Sequence, residues 1–531
     1  MKHKKEKTMN QELRKKIGQL FMVGFDALEP NEHITRLIQQ HKVGGIILFR
    51  RNVESPEQVA ALCQRLQEIN AQVSDVPLLI ALDQEGGMVM RIEEGVTPIP
   101  SAMAFQAAGS VHDCEQLQRI SGEEMRQIGI NMMLAPVLDV NNNPANPVIG
   151  VRAFGEDADT VIQYGMAALR GLKSAGVITT AKHFPGHGDT STDSHFALPL
   201  VPHDKARLDA VELPPFKAAI AQGVDAIMTA HVVFPAIEKQ PGMPATLSKA
   251  VLTDLLRGEL GFKGVIISDC LEMAAIANGI GVKGVTEGAI KTLQAGADIA
   301  LISHLEERQQ AAMDAVFAAV ESGVISVEQI NESVQRIQKL KQLKAVNEWQ
   351  NEWRNESQNT AMNGAWLRQP ESLALAKKVQ KAALRVQGNF RPLNRQLPVS
   401  LITVEVRLRS EIDEAIVIRN KEARSSMLSA MLEAGIDVRE FVLSPEALEQ
   451  EVSKALAFSQ SADQIVLQTY NAVLQKGQQR LLALLPQNKL WLVAGRLPYD
   501  LDSAPDAQGR LASFSCRPAA LAPVVEKLLG K

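Results

Sequence analysis

Eight short runs of apolar, largely β-branched residues recur across roughly the first three hundred positions, each followed by a longer amphipathic stretch, and this alternation constrains the fold more than any other feature. The runs are Leu20 to Phe25, Gly44 to Phe49, Leu78 to Leu82, Met132 to Val140, Val177 to Ala181, Ala226 to Ala230, Gly264 to Ser268 and Asp298 to Ser303. They are apolar without strict alternation, as suits strands buried on both faces. Helical patterns between them, such as Pro56 to Asn70 and Val285 to Ala295, imply parallel pairing through crossovers. Eight such units predict an α/β fold of the (β/α)8 TIM-barrel type; a doubly wound open sheet is the alternative that periodicity leaves standing.

A chain of 531 residues exceeds what one core supports, and a second unit is legible further on. From about Ala345 to Gly364 the sequence turns polar and Asn-rich, which reads as a connector. Beyond it, apolar runs at Val399 to Val404, Val438 to Leu443, Gln464 to Gln468 and Leu490 to Val493 alternate with helical patterns such as Ser426 to Ala434. The predicted layout is a barrel over 1–345 with a solvated, disordered N-terminal tail, a connector over 346–370, and a smaller α/β sandwich over 371–531. Trp349, Trp353 and Trp366 read as packing anchors between the two. Nothing after Gly364 looks catalytic or sugar-binding, so the site should be complete within the first unit.

Composition narrows the partners. Acids and bases nearly cancel to a formal charge of −4, and no basic stripe suggests nucleic acid. Each apolar run is broken by charge, Gly or Pro before the roughly 20 residues needed to cross a bilayer. The basic start, MKHKKEKTMNQELRKK, leads only into the short GQLFMVGF and no small-residue cleavage site, so no export signal is read. Cys63, Cys114, Cys270 and Cys516 show neither CxxC nor zinc-finger spacing, which argues against a disulfide framework and predicts a reducing cytoplasm.

In barrels of this kind the chemistry sits at the C-terminal ends of the strands, and here four of those ends carry charge. LLIALDQEGG closes the third run with Asp83 and Glu85, VITTAKHFPGHGD the fifth with Lys182 and His183, AIMTAH the sixth with His231, and GVIISD the seventh with Asp269. Residues 182 to 195 are the densest polar stretch, with His183, His187, His195, Asp189, Asp193 and Lys182 punctuated by Pro185 and two glycines. That loop admits two chemistries. Its histidines and Asp189 could share a metal, or Asp193 could orient His195 as a proton-transfer group. The metal reading lacks an HxH at the end of the first run and needs no carboxylate at Asp269. Taken alone, Arg152 reads as a surface arginine, Glu85 as a turn cap, Asp139 as a loop anchor, His187 and Asp189 as shapers of the loop, and His231 as support behind the site.

These segments resemble the glycoside hydrolase family 3 β-N-acetylglucosaminidases, whose signature is similar to KHFPGHGDTxxDSHxxLP and is matched throughout residues 182 to 199. The resemblance extends to DQEGG at 83 to 87 with Arg91, NPVIGVRAFGED at 146 to 157, TAHVVFPA at 229 to 236 and IISDCLEM at 266 to 273. It implies that Asp269 attacks the anomeric carbon, that His195, oriented by Asp193, moves the proton, and that Asp83, Arg91, Arg152, Lys182 and His183 hold the sugar hydroxyls. It implies an exo-acting, retaining hydrolase of terminal β-linked N-acetylglucosamine, from peptidoglycan fragments or muropeptides, needing neither cofactor nor metal. The chemistry suits these residue types, because a His titrating near about 6.5 can serve as acid and then as base at neutral pH. A phosphorylase with the same intermediate and a muropeptide-binding protein without turnover are the rival readings. One departure is Cys270 beside Asp269, where the resembling enzymes more often carry Asp or Ala.

Overall fold

The computed structural model describes residues 2–192, 198–277, 284–343, 367–404 and 425–531, with side chains from residue 10 onward. Asp193 and His195, Trp349, Trp353 and Trp366, and most of the expected connector lie outside these residues.

The first ten strands are β1 (Phe21–Val23), β2 (Gly45–Leu48), β3 (Leu79–Leu82), β4 (Gln84–Gly86), β5 (Val89–Met90), β6 (Met132–Met133), β7 (Ile178–Phe184), β8 (Ala226–Thr229), β9 (Val265–Ile267) and β10 (Ala300–Ile302). Eight of them form one sheet in the order β10-β1-β2-β3-β6-β7-β8-β9, every pair parallel. A further parallel bridge between Ile267 and Ile299 closes it, and Ser268 N donates to Ile299 O at 2.9 Å. The open-sheet alternative is thereby excluded, and the fold is a TIM-type barrel. Each barrel strand is buried along its whole length, which is why the sequence runs showed no polar alternation.

Two expectations change in detail. The run expected over Met132 to Val140 forms regular ladder only at Met132–Met133; beyond it the pairing with β7 continues out of step, with Ala135 O accepting from Thr180 N, Pro136 O from Lys182 N, and Leu138 N donating to Lys182 O. The supposedly disordered tail continues as the helix Lys2–Gln19, whose composition of Lys, Glu, Gln and Leu favours helix. Its last turns dock on the barrel through buried Ile17, the Arg14–Asp314 pair and Lys16 on Asn331.

The second sheet contains β11 (Arg385–Gln387), β12 (Val399–Val404), β13 (Val438–Leu443), β14 (Gln464–Thr469), β15 (Leu490–Ala494) and β16 (Gly509–Ala512), ordered β11-β16-β15-β14-β12-β13. Only β11 is antiparallel. Alternate residues feed two cores, Ile465, Leu467 and Leu492 on one face and Val466, Trp491 and Val493 on the other. Helices Glu449–Ser459 and Lys476–Leu484 cover the first face; Ser426–Glu433 and Pro518–Leu528 cover the second. This is the α/β sandwich expected.

Candidate active site

The pocket opens at the C-terminal ends of the barrel strands. Asp83, Glu85, Arg91, Arg152, Lys182, His183 and Asp269 all line it, between apolar walls that include Phe49, Val89, Met228, Met273 and Leu301. Every lining residue precedes position 345.

Asp83 leaves β3 and Glu85 follows two positions later in extended chain, so both carboxylates fall on one side. Their hairpin, β4–β5, is stitched by one side chain: Gln84 Oε1 accepts from Arg91 N and Ile92 N, while Gln84 Nε2 donates to Ile92 O. The turn requires glycine. Gly87 sits at φ +57°, and a Cβ there would meet the Ser101 Cβ at 2.4 Å.

Lys182 and His183 are consecutive on β7, yet both reach the pocket, because the register shifts between Ala181 and Phe184 and breaks the two-residue alternation. Lys182 Nζ lies 2.7 Å from Asp83 and 2.6 Å from Glu85. Arg91 approaches Asp83 at 3.0 Å, and Arg152 grips Glu85 with two bonds of 2.8 Å each. Burial by itself would raise both carboxyls, but the cations outweigh it: Lys182 and Arg91 hold Asp83 well below the carboxylate range, while Arg152 and Lys182 hold Glu85 down at about 2. Both are therefore ionised at neutral pH.

Asp139 takes the His183 ring Nδ1 at 2.7 Å and accepts from His183 N and His187 N, the loop-anchoring role foreseen for it. A guanidinium nitrogen of Arg152 faces His183 Nε2 at 3.5 Å. These contacts fix the ring with Nδ1 toward Asp139 and Nε2 toward Arg152. His187 bonds Thr190 Oγ1, and burial pushes its pKa down to about 4, which leaves it neutral.

Asp269 sits just past β9, with Cys270 N donating to its Oδ1 at 2.7 Å. Behind it, His231 bridges the Cys270 carbonyl at 2.8 Å and Thr246 Oγ1 at 2.7 Å, so it fixes the backbone that follows Asp269. Ser268 Oγ accepts from Leu301 N and ties the same turn to β10.

The structure thus brings Asp83, Arg91, Arg152, Lys182, His183 and Asp269 together, and corrects two solitary readings. Arg152 is buried on Glu85 and is no surface arginine, and Glu85 is the second anion of the network and no turn cap. The two-residue spacing from Asp83 was the signal for Glu85. Among the described residues, His183, His187 and Asp189 do not bring ligand atoms together; the one such group is Cys270, Glu272 and His304, within 4.8 Å of one another. There the Glu272 carboxylate already accepts from the backbone N–H groups of Ser303, His304 and Leu305.

A parallel barrel with Asp269 at one strand end, facing a buried lattice of carboxylates and cations, is an arrangement suited to a barrel glycoside hydrolase. Residues 12–340 match the model described as the glycosyl hydrolase family 3 N terminal domain, and the chain belongs to that family. A solved β-N-acetylglucosaminidase of the family from Paenibacillus sp. str. FPU-7 is 45% identical and superposes over 98% of this chain and 96% of its own, with a TM-score of 0.89. Beta-hexosaminidase A of Pseudoalteromonas piscicida is 38% identical over 330 residues, and the match covers 58% of this chain and 54% of that protein's length. A beta-hexosaminidase of Vibrio cholerae serotype O1 is 37% identical over 317 residues, which cover 59% of this chain and 90% of that protein.

Proposed function

We propose that the chain is a retaining exo-β-N-acetylglucosaminidase that removes terminal β-linked N-acetylglucosamine from small saccharides, with peptidoglycan fragments as its substrates. Asp269 would attack the anomeric carbon and form the glycosyl ester; His195, oriented by Asp193, would protonate the departing oxygen and then deprotonate water; Asp83, Arg91, Arg152, Lys182 and His183 would hold the sugar. Catalysis belongs to 1–345, and 371–531 forms the second unit.

One observation carries this reading. A glycosidase needs, beside its nucleophile, a group that is protonated in one step and deprotonated in the next. Asp83 and Glu85 are pinned as anions by Lys182, Arg91 and Arg152, and burial keeps His187 neutral, so these three suit the role poorly. The resemblance carried by residues 182 to 199 supplies His195, beside Asp193, for that role. The names of the Paenibacillus, Pseudoalteromonas and Vibrio proteins support the sugar. Four buried cysteine thiols support a cytoplasmic setting, and no described helix is long and apolar enough to cross a membrane.

The test is incubation with an aryl N-acetyl-β-glucosaminide beside the corresponding glucoside and galactoside. Cleavage of the N-acetylglucosaminide is expected; cleavage of the glucoside alone would overturn the substrate. Running the reaction with and without phosphate separates hydrolysis, which gives the free sugar in both, from phosphorolysis.

A further inference from the structure

Two of the loops that build the charged wall of the pocket are held from outside the barrel. One is the β4–β5 hairpin and its exit to Glu93, which carries Glu85 and Arg91; the other is the 141–157 stretch, which carries Arg152. Arg517 Nη2 donates to Met88 O at the tip of the hairpin at 3.0 Å, and its guanidinium pairs with Glu93. On the second loop, the Tyr499 hydroxyl accepts from Asn141 Nδ2 at 3.1 Å and donates to Glu156. Asn141 Oδ1 in turn accepts from Gly150 N, two residues before Arg152. Gly150 has φ +48°, and a Cβ there would lie 2.7 Å from Leu497 Cδ2, so the loop is seated flush on the second unit. Met88 and Val151, one from each loop, share a buried apolar cluster with Leu497, Phe514 and Cys516.

We propose that Arg517 and Tyr499 are positioning residues for the sugar pocket: from one rigid sandwich they hold the two loops in the register at which Glu85 and Arg152 meet, without touching the sugar. A bidentate guanidinium–carboxylate pair tolerates little misalignment, and here its halves sit on separate loops. The proposal rests on the sugar-binding role given to Arg152 above.

The test uses the full chain with Arg517→Gln, Tyr499→Phe and Arg517→Lys, each also made in an Arg152→Ala background. KM for the aryl glycoside and the inhibition constant of the free product sugar are read beside Tm. Neither constant depends on how much of the protein is folded, so a merely structural role moves Tm and total activity and leaves both unchanged. The expected result is a rise of about 10-fold in both constants for Arg517→Gln, short of the roughly 10²-fold that an ångström of misplacement can cost. A smaller rise is expected for Tyr499→Phe, and Arg517→Lys should recover part of the loss through Glu93. In the Arg152→Ala background the second substitution should add almost nothing, since the group being positioned is gone. Unchanged constants, or the same fold-change with and without Arg152, would overturn the proposal. If Arg517→Gln fails to fold, the comparison is made with Arg517→Lys and Tyr499→Phe. If the wild type prefers another aryl glycoside, the substrate reading fails, and the clamp is judged on the glycoside it does cleave.

Discussion

Replacing Glu85 with Gln keeps the shape of the side chain and removes its charge, which isolates what the buried anion contributes. In the wild type it takes Arg152 through two 2.8 Å bonds and Lys182 at 2.6 Å, with 6% of its side chain exposed. After substitution Lys182 keeps Asp83 at 2.7 Å, while Arg152 loses the carboxylate it touches. Removing one partner of a buried ion pair costs about 3–5 kcal/mol. Proton linkage gives a second figure: a carboxyl held at about 2 in the fold against 4.5 outside it stabilises the fold by about 3 kcal/mol at neutral pH. The folded pKa is depressed, so this stability is fully present above about pH 4.5 and is lost as pH falls toward about 2. Urea unfolding of wild type and Glu85→Gln across pH should show a gap of about 3 kcal/mol at pH 7, nearly the same at pH 5, and roughly half of it by pH 3. A gap under about 1 kcal/mol at pH 7, or one undiminished at pH 3, would refute the assignment of Glu85 as the ionised partner of Arg152.

Three further outcomes follow from the site. Asp269→Ala should abolish turnover of natural and activated aryl glycosides alike, whereas His195→Ala should lose about 10²- to 10⁴-fold on a natural aglycone yet give a burst of phenol, with the glycosyl ester trapped on Asp269 and visible by mass. Equal loss on both substrates with no trapped ester would count against His195 and Asp193. Activity should survive exhaustive chelation, and a metal ion shared by His183, His187 and His195 would contradict that. His231→Ala removes the imidazole bond to the Cys270 carbonyl, while Thr246 keeps Thr229 and Ala230; this should lower stability by about 1–3 kcal/mol and reduce kcat more than KM, and an unchanged kcat would remove His231 from the support of Asp269.

The barrel was legible because a parallel strand buried on both faces writes itself as an unbroken apolar run, and all eight runs coincide with barrel strands. Beyond β6 the apolar run outlasts the regular ladder, because the pairing with β7 shifts register there. In the sandwich β12, β14 and β15 were visible for the same reason, whereas β13 is an edge strand with only Leu443 buried and showed through its Val and Phe residues. β11 is a three-residue edge with two exposed positions, and β16 opens on Gly509, so neither carries that pattern. Asp83, Lys182, His183 and Asp269 were marked by charge at a strand end, but burial of Glu85 and Arg152 depends on their meeting across 67 positions, which no local pattern records. Arg517 is hidden in a similar way, since before Pro518 it reads only as the residue ahead of a helix.

The described charges of the pocket also bear on why a histidine suits this site. Lys182, Arg91 and Arg152 face Asp83 and Glu85, an excess of one positive charge that an ionised Asp269 cancels. On the proposed assignment, formation of the ester consumes the Asp269 charge and leaves the pocket positive again. That field favours the return of a carboxylate, so it assists departure of the sugar from Asp269 in the second step. A carboxylic acid as proton carrier would gain an anionic charge between the two steps, whereas an imidazole goes from cation to neutral while the carboxylate of Asp193 beside it keeps its charge throughout. The lattice that leaves Asp83 and Glu85 poorly suited to moving a proton therefore also makes a neutral base the better complement to Asp269.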